Sequence, residues 1–281
     1  PSGQPTSQPT QPTGKPTGKS GTGKPGTGKS GAGKSGGGNS KPSGRNLSVR
    51  VKTARRRKTS STRWLQRQLN DPYVISAKKD GYRSRAAYKL LQLDEKFHLL
   101  KRDQAVVDLG AAPGGWTQVI LNVLSSGGRS GGRSGGQVLA VDVVEMDAMA
   151  GAQMLVGDVM ELETETAIRD ALGGRADLVL SDMAPPATGH QATDHLRIIA
   201  LAEAALDLAR GILNPDGGFV AKVWQGGAEQ ELLSALKRDF RMVRHAKPEA
   251  SRSDSAEMYV VATGYRGPEK EPENEENFVP D

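Results

Sequence analysis

The distribution of apolar and polar positions divides the chain into three parts. Residues 1–50 cycle through Gly, Lys, Pro, Ser and Thr. They hold almost nothing large and apolar to repay the entropy of ordering, so a disordered arm is expected over residues 1–60. From residue 61 to residue 266, short apolar runs alternate with helical periodicity. The run Val106-Val107-Asp108-Leu109 breaks at glycines, and an amphipathic pattern resumes over residues 118–124; that order reads as strand, tight turn, helix. Further strands are expected at residues 137–142, 152–156, 176–182, 219–224, 242–245 and 257–264. Helices are expected at 161–172, 192–212 and 229–238, with Pro215-Asp216-Gly217-Gly218 as a turn.

Two helices should precede the first strand. One begins near Ser60-Ser61-Thr62-Arg63-Trp64, where residues able to cap a helix meet an apolar start. The other runs from a Ser84 cap to about His98, with Ala87, Leu90, Leu91 and Leu93 toward the core and Lys89 on another part of its surface. Strands and helices in this alternation indicate an α/β domain with a doubly wound, mostly parallel sheet. The last residues, 267–281, are rich in Glu and Pro and are expected to be a disordered acidic tail.

Charge sharpens this division. Of the 38 Lys and Arg residues, 14 lie in the first 63 positions, which contain no acid; the remainder carries 24 basic against 32 acidic residues. The arm is therefore the electrostatic handle for a polyanion, because each cation placed on a phosphate releases counterions. Two windows in the arm, residues 23–30 and 28–35, match the phosphate-loop pattern G-x-x-x-x-G-K-[ST]. A working phosphate loop needs a strand before it and a helix after it; the repeat supplies neither, and no ATPase is assigned. The run Arg55-Arg56-Arg57-Lys58 is a solvated charge run or a phosphate contact. Without cysteine, disulfides, thiolate metal sites and a cysteine nucleophile are excluded. His98, His190, His195 and His245 show no metal-ligand spacing, so no metal is expected. Neither a membrane-length apolar run nor a signal peptide is seen, and the expected compartment is the cytoplasm.

The glycine turn carries the candidate chemistry. Its small residues let a ligand approach the backbone, and the helix start offers N–H groups to a negative group. A dinucleotide fold wants G-x-G-x-x-G, whereas Ala112 and Pro113 stand at and after the second glycine position. In such sheets an acid about 20 positions on receives the ribose hydroxyls. Asp142 lies 32 positions after Gly110, and 20 once the 12-residue stretch SSGGRSGGRSGG at 125–136 is set aside as an insertion. Asp158 again follows a strand and could accept a hydrogen bond from an adenine amino group. Lys89, Asp182, Lys222 and Glu257 are charges in awkward places, either two structural salt bridges or functional groups.

D-x-G-x-x-P-G-G-W, with SRAAYK, SDMAP, FVAKVWQG and KPEASRSDSAEMYVVATG, resembles the FtsJ-like ribosomal RNA large subunit methyltransferases over about residues 61–266. The resemblance implies a Rossmann-like S-adenosylmethionine-dependent methyltransferase fold, a mostly parallel seven-stranded sheet with helices on both faces. It implies 2'-O-methylation of a uridine ribose in the aminoacyl-tRNA-binding loop of 23S rRNA, within the large ribosomal subunit. The family's Lys-Asp-Lys-Glu tetrad falls on Lys89, Asp182, Lys222 and Glu257. Lys222, its pKa lowered by burial, is expected to activate the 2'-hydroxyl, with Asp182 orienting it and Lys89 and Glu257 holding the ribose. S-adenosyl-L-methionine is expected over Gly110, Gly114 and Trp116, with its ribose on Asp142, its adenine on Asp158 and its methyl end near Asp182. A monomer is expected. A tRNA anticodon-loop 2'-O-methyltransferase and a non-catalytic RNA-binding ribosome-assembly factor are the alternatives, and a nicotinamide-dependent dehydrogenase is disfavoured by Ala112 and Pro113.

Overall fold

A computed structural model describes residues 49–53, 58–125, 136–226 and 229–268. The phosphate-loop matches, Arg55 to Arg57, most of the arm, the Gly-Arg-Ser stretch at 126–135 and the tail from 269 lie outside the described residues. The elements in chain order are α1 (Thr59–Leu69), α2 (Pro72–Asp80), α3 (Ala87–Phe97), β1 (Ala105–Leu109), α4 (Gly115–Ser125), β2 (Gln137–Asp142), β3 (Ala152–Val156) and α5 (Leu162–Leu172). There follow β4 (Ala176–Ser181), α6 (Gln191–Ile212), β5 (Leu213–Trp224), α7 (Gln230–Asp239), β6 (Phe240–Ala246) and β7 (Glu257–Tyr265).

The strands form one seven-stranded sheet in the order β3-β2-β1-β4-β5-β7-β6. From β3 to β5 every pairing is parallel, and β7 enters antiparallel between β5 and β6. Strand order reverses between β1 and β4, which is where open α/β sheets leave a crevice outside their carboxyl ends. Parallel strands covered on both faces read as near-continuous apolar runs, and β1 and β4 do, interrupted by Asp108 and Asp177. Val107, Leu109 and Val179 face a core with α5, α6 and α7. Val106, Leu178, Leu180 and Val220 face a second core with Leu90 of α3 and Trp116 and Ile120 of α4. Each large aliphatic side chain buried this way contributes about 1.5–3 kcal/mol.

Three local expectations need correction. The expected Ser84 cap is not made: α3 begins at Ala87, its N-cap is Ala86, and the Ser84 hydroxyl is buried without a hydrogen-bond partner. Helix α2 was not foreseen, although its signals are local: Asp71 caps Tyr73 N–H at 3.0 Å, Pro72 opens the first turn and Gly81 closes it at φ 79°. The 215–218 turn lies inside β5, where Ala176 pairs with Leu213 and Leu178 with Gly218, so the intervening residues form a bulge.

Candidate active site

The glycine turn is shaped by its own chain as much as by any ligand. Gly110 has φ 73°, and a Cβ there would lie 2.7–2.9 Å from Met183, including its backbone N and Cα; only glycine fits. Gly110 N–H and Ala111 N–H both donate to Val141 O at 2.9 and 3.1 Å, and Asp182 N–H donates to Leu109 O at 3.1 Å. These bonds lock the ends of β1, β2 and β4 around one cleft. The cleft holds about 590 Å³ and is lined by Gly110, Asp142, Asp158, Asp182, Met183 and Arg197 among others. A lining that combines three acids with apolar groups suits a nucleoside joined to a sulfonium. Asp142 accepts Ala112 N–H at 2.9 Å and Val144 N–H at 2.8 Å, and Asp158 accepts Met160 N–H at 3.0 Å. Each carboxylate oxygen keeps a further lone pair for a ligand.

Gly114 and Trp116 do not line this cleft. The Trp116 ring is 2% exposed, donates its indole N–H to Ala86 O at 2.8 Å and tilts against Tyr259 at 5.7 Å. Its side chain holds α3 and β7 to the turn. Arg83, missed in the sequence, braces the same region: it donates to Pro113 O at 3.3 Å, Asp147 O at 2.8 Å and Ala148 O at 3.3 Å. It thereby fastens the loop after β2 to the glycine turn.

Lys89, Asp182, Lys222 and Glu257 come together beside the cleft from four different elements. Lys89 Nζ lies 2.9 Å from Glu257 Oε1 and 3.7 Å from Asp182 Oδ1. Lys222 Nζ lies 2.7 Å from Asp182 Oδ1 and donates to Asp182 O, also at 2.7 Å. Register explains the convergence. Lys222 pairs with Tyr259 and Trp224 with Glu257, so Lys222, Tyr259 and Glu257 share a face. Ser181 pairs with Ala221, which brings Asp182 alongside Lys222. The face is the one α3 covers, and Lys89 enters it from that helix, 8% exposed.

Tyr259 is the member that the sequence reading missed. Fully buried, it accepts from Lys89 Nζ at 3.1 Å and donates to Asp182 Oδ1 at 2.5 Å. The signal for it was period 2 on the last strand: Glu257 and Tyr259 are two apart. Burial, with the Asp182 and Glu257 carboxylates nearby, pushes the phenol well above its ordinary value, so it stays a donor. For Asp182 burial alone would raise the pKa; the Lys222 and Lys89 ammonium groups, with hydrogen bonds from Lys222 and Tyr259, outweigh it and hold the carboxyl below its usual range. Ser251 donates to Glu257 Oε1 at 2.7 Å. The segment carrying it is pinned to α3, since Ala250 N–H donates to Gln92 Oε1 at 2.8 Å and Ala250 O accepts from Arg85.

A second buried acid is different in kind. Asp108 on β1 has no exposure; its Oδ2 accepts from Thr117 Oγ1 at 2.7 Å, and its Oδ1 has no hydrogen-bond partner among the described residues. Burial pushes its pKa up to about 7, against the lowering effect of the Thr117 hydrogen bond.

Comparison with known proteins gives a consistent set of relatives. Residues 82–265 match the FtsJ-like methyltransferase family. The ribosomal RNA large subunit methyltransferase E of Paramagnetospirillum magneticum is 58% identical over 230 residues, 81% of this chain and 93% of that protein. The protein of the same name in Azorhizobium caulinodans is 54% identical over 234 residues, 83% and 95% of the two chains. Among solved structures, a ribosomal RNA methyltransferase from Plasmodium falciparum superposes with a TM-score of 0.58 at 28% identity, covering 66% of this chain and all of that one.

Proposed function

The chain belongs to the FtsJ-like methyltransferase family, and from that premise we propose that it methylates the 2'-oxygen of a uridine ribose in 23S rRNA of the large ribosomal subunit, in the aminoacyl-tRNA-binding loop. S-adenosylmethionine is the methyl donor. In this reading it acts as a cytoplasmic monomer. The observation that carries the proposal is that Asp182 belongs to two constructions at once: it lines the cleft and anchors both lysines. The ligand's reacting end and the charged cluster are therefore adjacent.

When bound, S-adenosylmethionine supplies a methyl group already activated by its sulfonium. What remains for the protein is to hold a ribose hydroxyl in line and to manage one proton. An ammonium has three N–H donors. Lys222 spends two on the Asp182 carboxylate and carbonyl, leaving the third to hydrogen-bond the 2'-oxygen and stabilise the charge that develops there, while the hydroxyl proton passes to solvent water as the oxygen takes the methyl group. Asp182, held ionised, fixes the direction of that ammonium. Lys89 and Glu257, joined to each other and steadied by Ser251 and Tyr259, hold the neighbouring ribose oxygens. Asp142 and Asp158 accept from the ribose hydroxyls and adenine amino group of the methyl donor, with Gly110, Gly114 and the backbone at Trp116 beside its amino-acid end.

The test is transfer of labelled methyl from S-adenosylmethionine to large ribosomal subunits, free rRNA and bulk tRNA. Label should appear on a large-subunit uridine ribose. Lys222→Ala should lower single-turnover transfer by about 100- to 10,000-fold while cofactor affinity is kept. Near-full turnover by that variant would refute the role of Lys222, and label on tRNA alone would move the substrate to the anticodon loop.

A further inference from the structure

The chain carries an exposed tryptophan that neither the cleft nor the charged cluster uses. Trp64 on α1 is 53% exposed, and among the described residues no ring or cation stacks on it. Isolated exposed apolar residues are ordinary on protein surfaces; the setting of this one is not. Arg63 and Arg67 flank it on the same helix, both exposed, and Arg67 lies one turn on from Trp64. Toward the amino terminus the chain continues as Lys58 and Arg57-Arg56-Arg55, within a 63-residue stretch that has no acid.

The helix is also tied to the site. Arg67 reaches Asp254 at 3.9 Å. Asp71, just beyond the end of α1, pairs with Arg85 at 3.2 Å and Arg252 at 3.6 Å. Asp254 and Arg252 belong to the loop between β6 and β7, whose Ser251 holds Glu257. Trp64 therefore sits on a helix whose last residue, Leu69, is two positions before the Asp71 anchor, so α1 and the loop that holds Glu257 are fastened to one another.

We infer that Trp64 is a stacking platform for an unpaired base of the RNA substrate flanking the methylated nucleotide, with Arg63 and Arg67 on the adjoining phosphates. The inference rests on the RNA-methylation reading and names a surface for its substrate. Unpaired RNA bases are recognised on exposed aromatic faces beside cations, and a half-exposed indole with Arg63 and Arg67 together on one side of it offers that chemistry. An apolar protein partner would make no use of the Arg63 charge, nor of Arg67 beyond its exposed pair with Asp254.

The test measures the Kd of the full chain for protein-free large-subunit rRNA and for unmethylated large subunits, with Trp64→Ala, Trp64→Leu and Trp64→Phe. Stacking predicts that Ala and Leu weaken binding to protein-free rRNA by roughly 5- to 100-fold, whereas Phe, which keeps a π face, retains most of it. Affinity for S-adenosylmethionine should be unchanged in all three, which checks the fold. A Leu variant that binds like the wild type would overturn the inference. So would a loss confined to assembled subunits, which would assign Trp64 to a ribosomal protein. Because binding is read directly, absence of methyl transfer by the wild type would count against the proposed reaction and leave the role of Trp64 to the Kd comparison.

Discussion

In the cleft, Asp142 and Asp158 are held by backbone N–H groups, from residues 30 and two positions away for Asp142 and two away for Asp158. In the charged cluster, Asp182 is held mainly by side chains from Lys222, Tyr259 and Lys89, the first two 40 and 77 positions away. The two regions share one strand edge and are built by opposite means. Backbone donors are neutral dipoles fixed by the turn, so losing a cleft carboxylate exposes N–H groups at a solvent-accessible edge and costs little stability. The cluster is a low-exposure balance of two cations and two anions, and removing one member leaves a charge without its counter-charge.

The largest expected effect breaks that balance. Asp182→Ala should destabilise the fold by about 3–5 kcal/mol in urea unfolding, whereas Asp142→Ala should weaken cofactor binding with little change in the unfolding midpoint. Equal destabilisation by the two would mean that the cluster is no more tightly coupled than the cleft.

Asp108 sharpens the contrast, because it is a buried acid with no cation paired to it among the described residues. Its folded pKa of about 7 stands above the ordinary 3.8, so the folded state holds the proton more tightly than the unfolded one. The stabilising contribution is complete below about pH 4 and is lost as pH rises to 7. Asp108→Asn should raise the stability of the cofactor-free protein at pH 8 by at most about 4 kcal/mol, with the gain shrinking toward pH 5. Urea midpoints across that range would show it, and a gain that grows on acidification would contradict the account.

A smaller effect is expected at the turn. Gly110→Ala introduces a positive-φ alanine against Met183 and should cost about 1–3 kcal/mol, with weaker cofactor binding in calorimetry. The smallest is Ser251→Ala, which removes one hydrogen bond from Glu257 while Lys89 remains. It should cost about 0.5–1.5 kcal/mol, seen as a severalfold loss in methyl transfer with cofactor affinity unchanged.

The same division separates what could be read in advance from what could not. Strand β3, with Asp158 just beyond it, and the spacing of Asp142 from Gly110 were legible because apolar runs and turn residues are local signals. The start of α3 was misplaced because Ser84 looks like a cap until packing buries its hydroxyl, and α2 was missed although Asp71, Pro72 and Gly81 mark it locally. Trp116 is read in the sequence only as part of the glycine turn; that its ring packs between α3 and β7 needs the tertiary structure. Period 2 from Glu257 put Tyr259 on the right face, but its role could not be read because its partners come from α3 and from the end of β4.

The sequence by itself determined the alternation of strands and helices, the glycine turn and the presence of unusually placed charges, since each is encoded within a few consecutive residues. Only the tertiary structure decided that Lys89, Asp182, Lys222 and Glu257 form one network through Tyr259. The pairing of Lys222 with Tyr259 on antiparallel strands, and the docking of α3 over that face, are set by long-range register and burial, and neither leaves a trace in local composition.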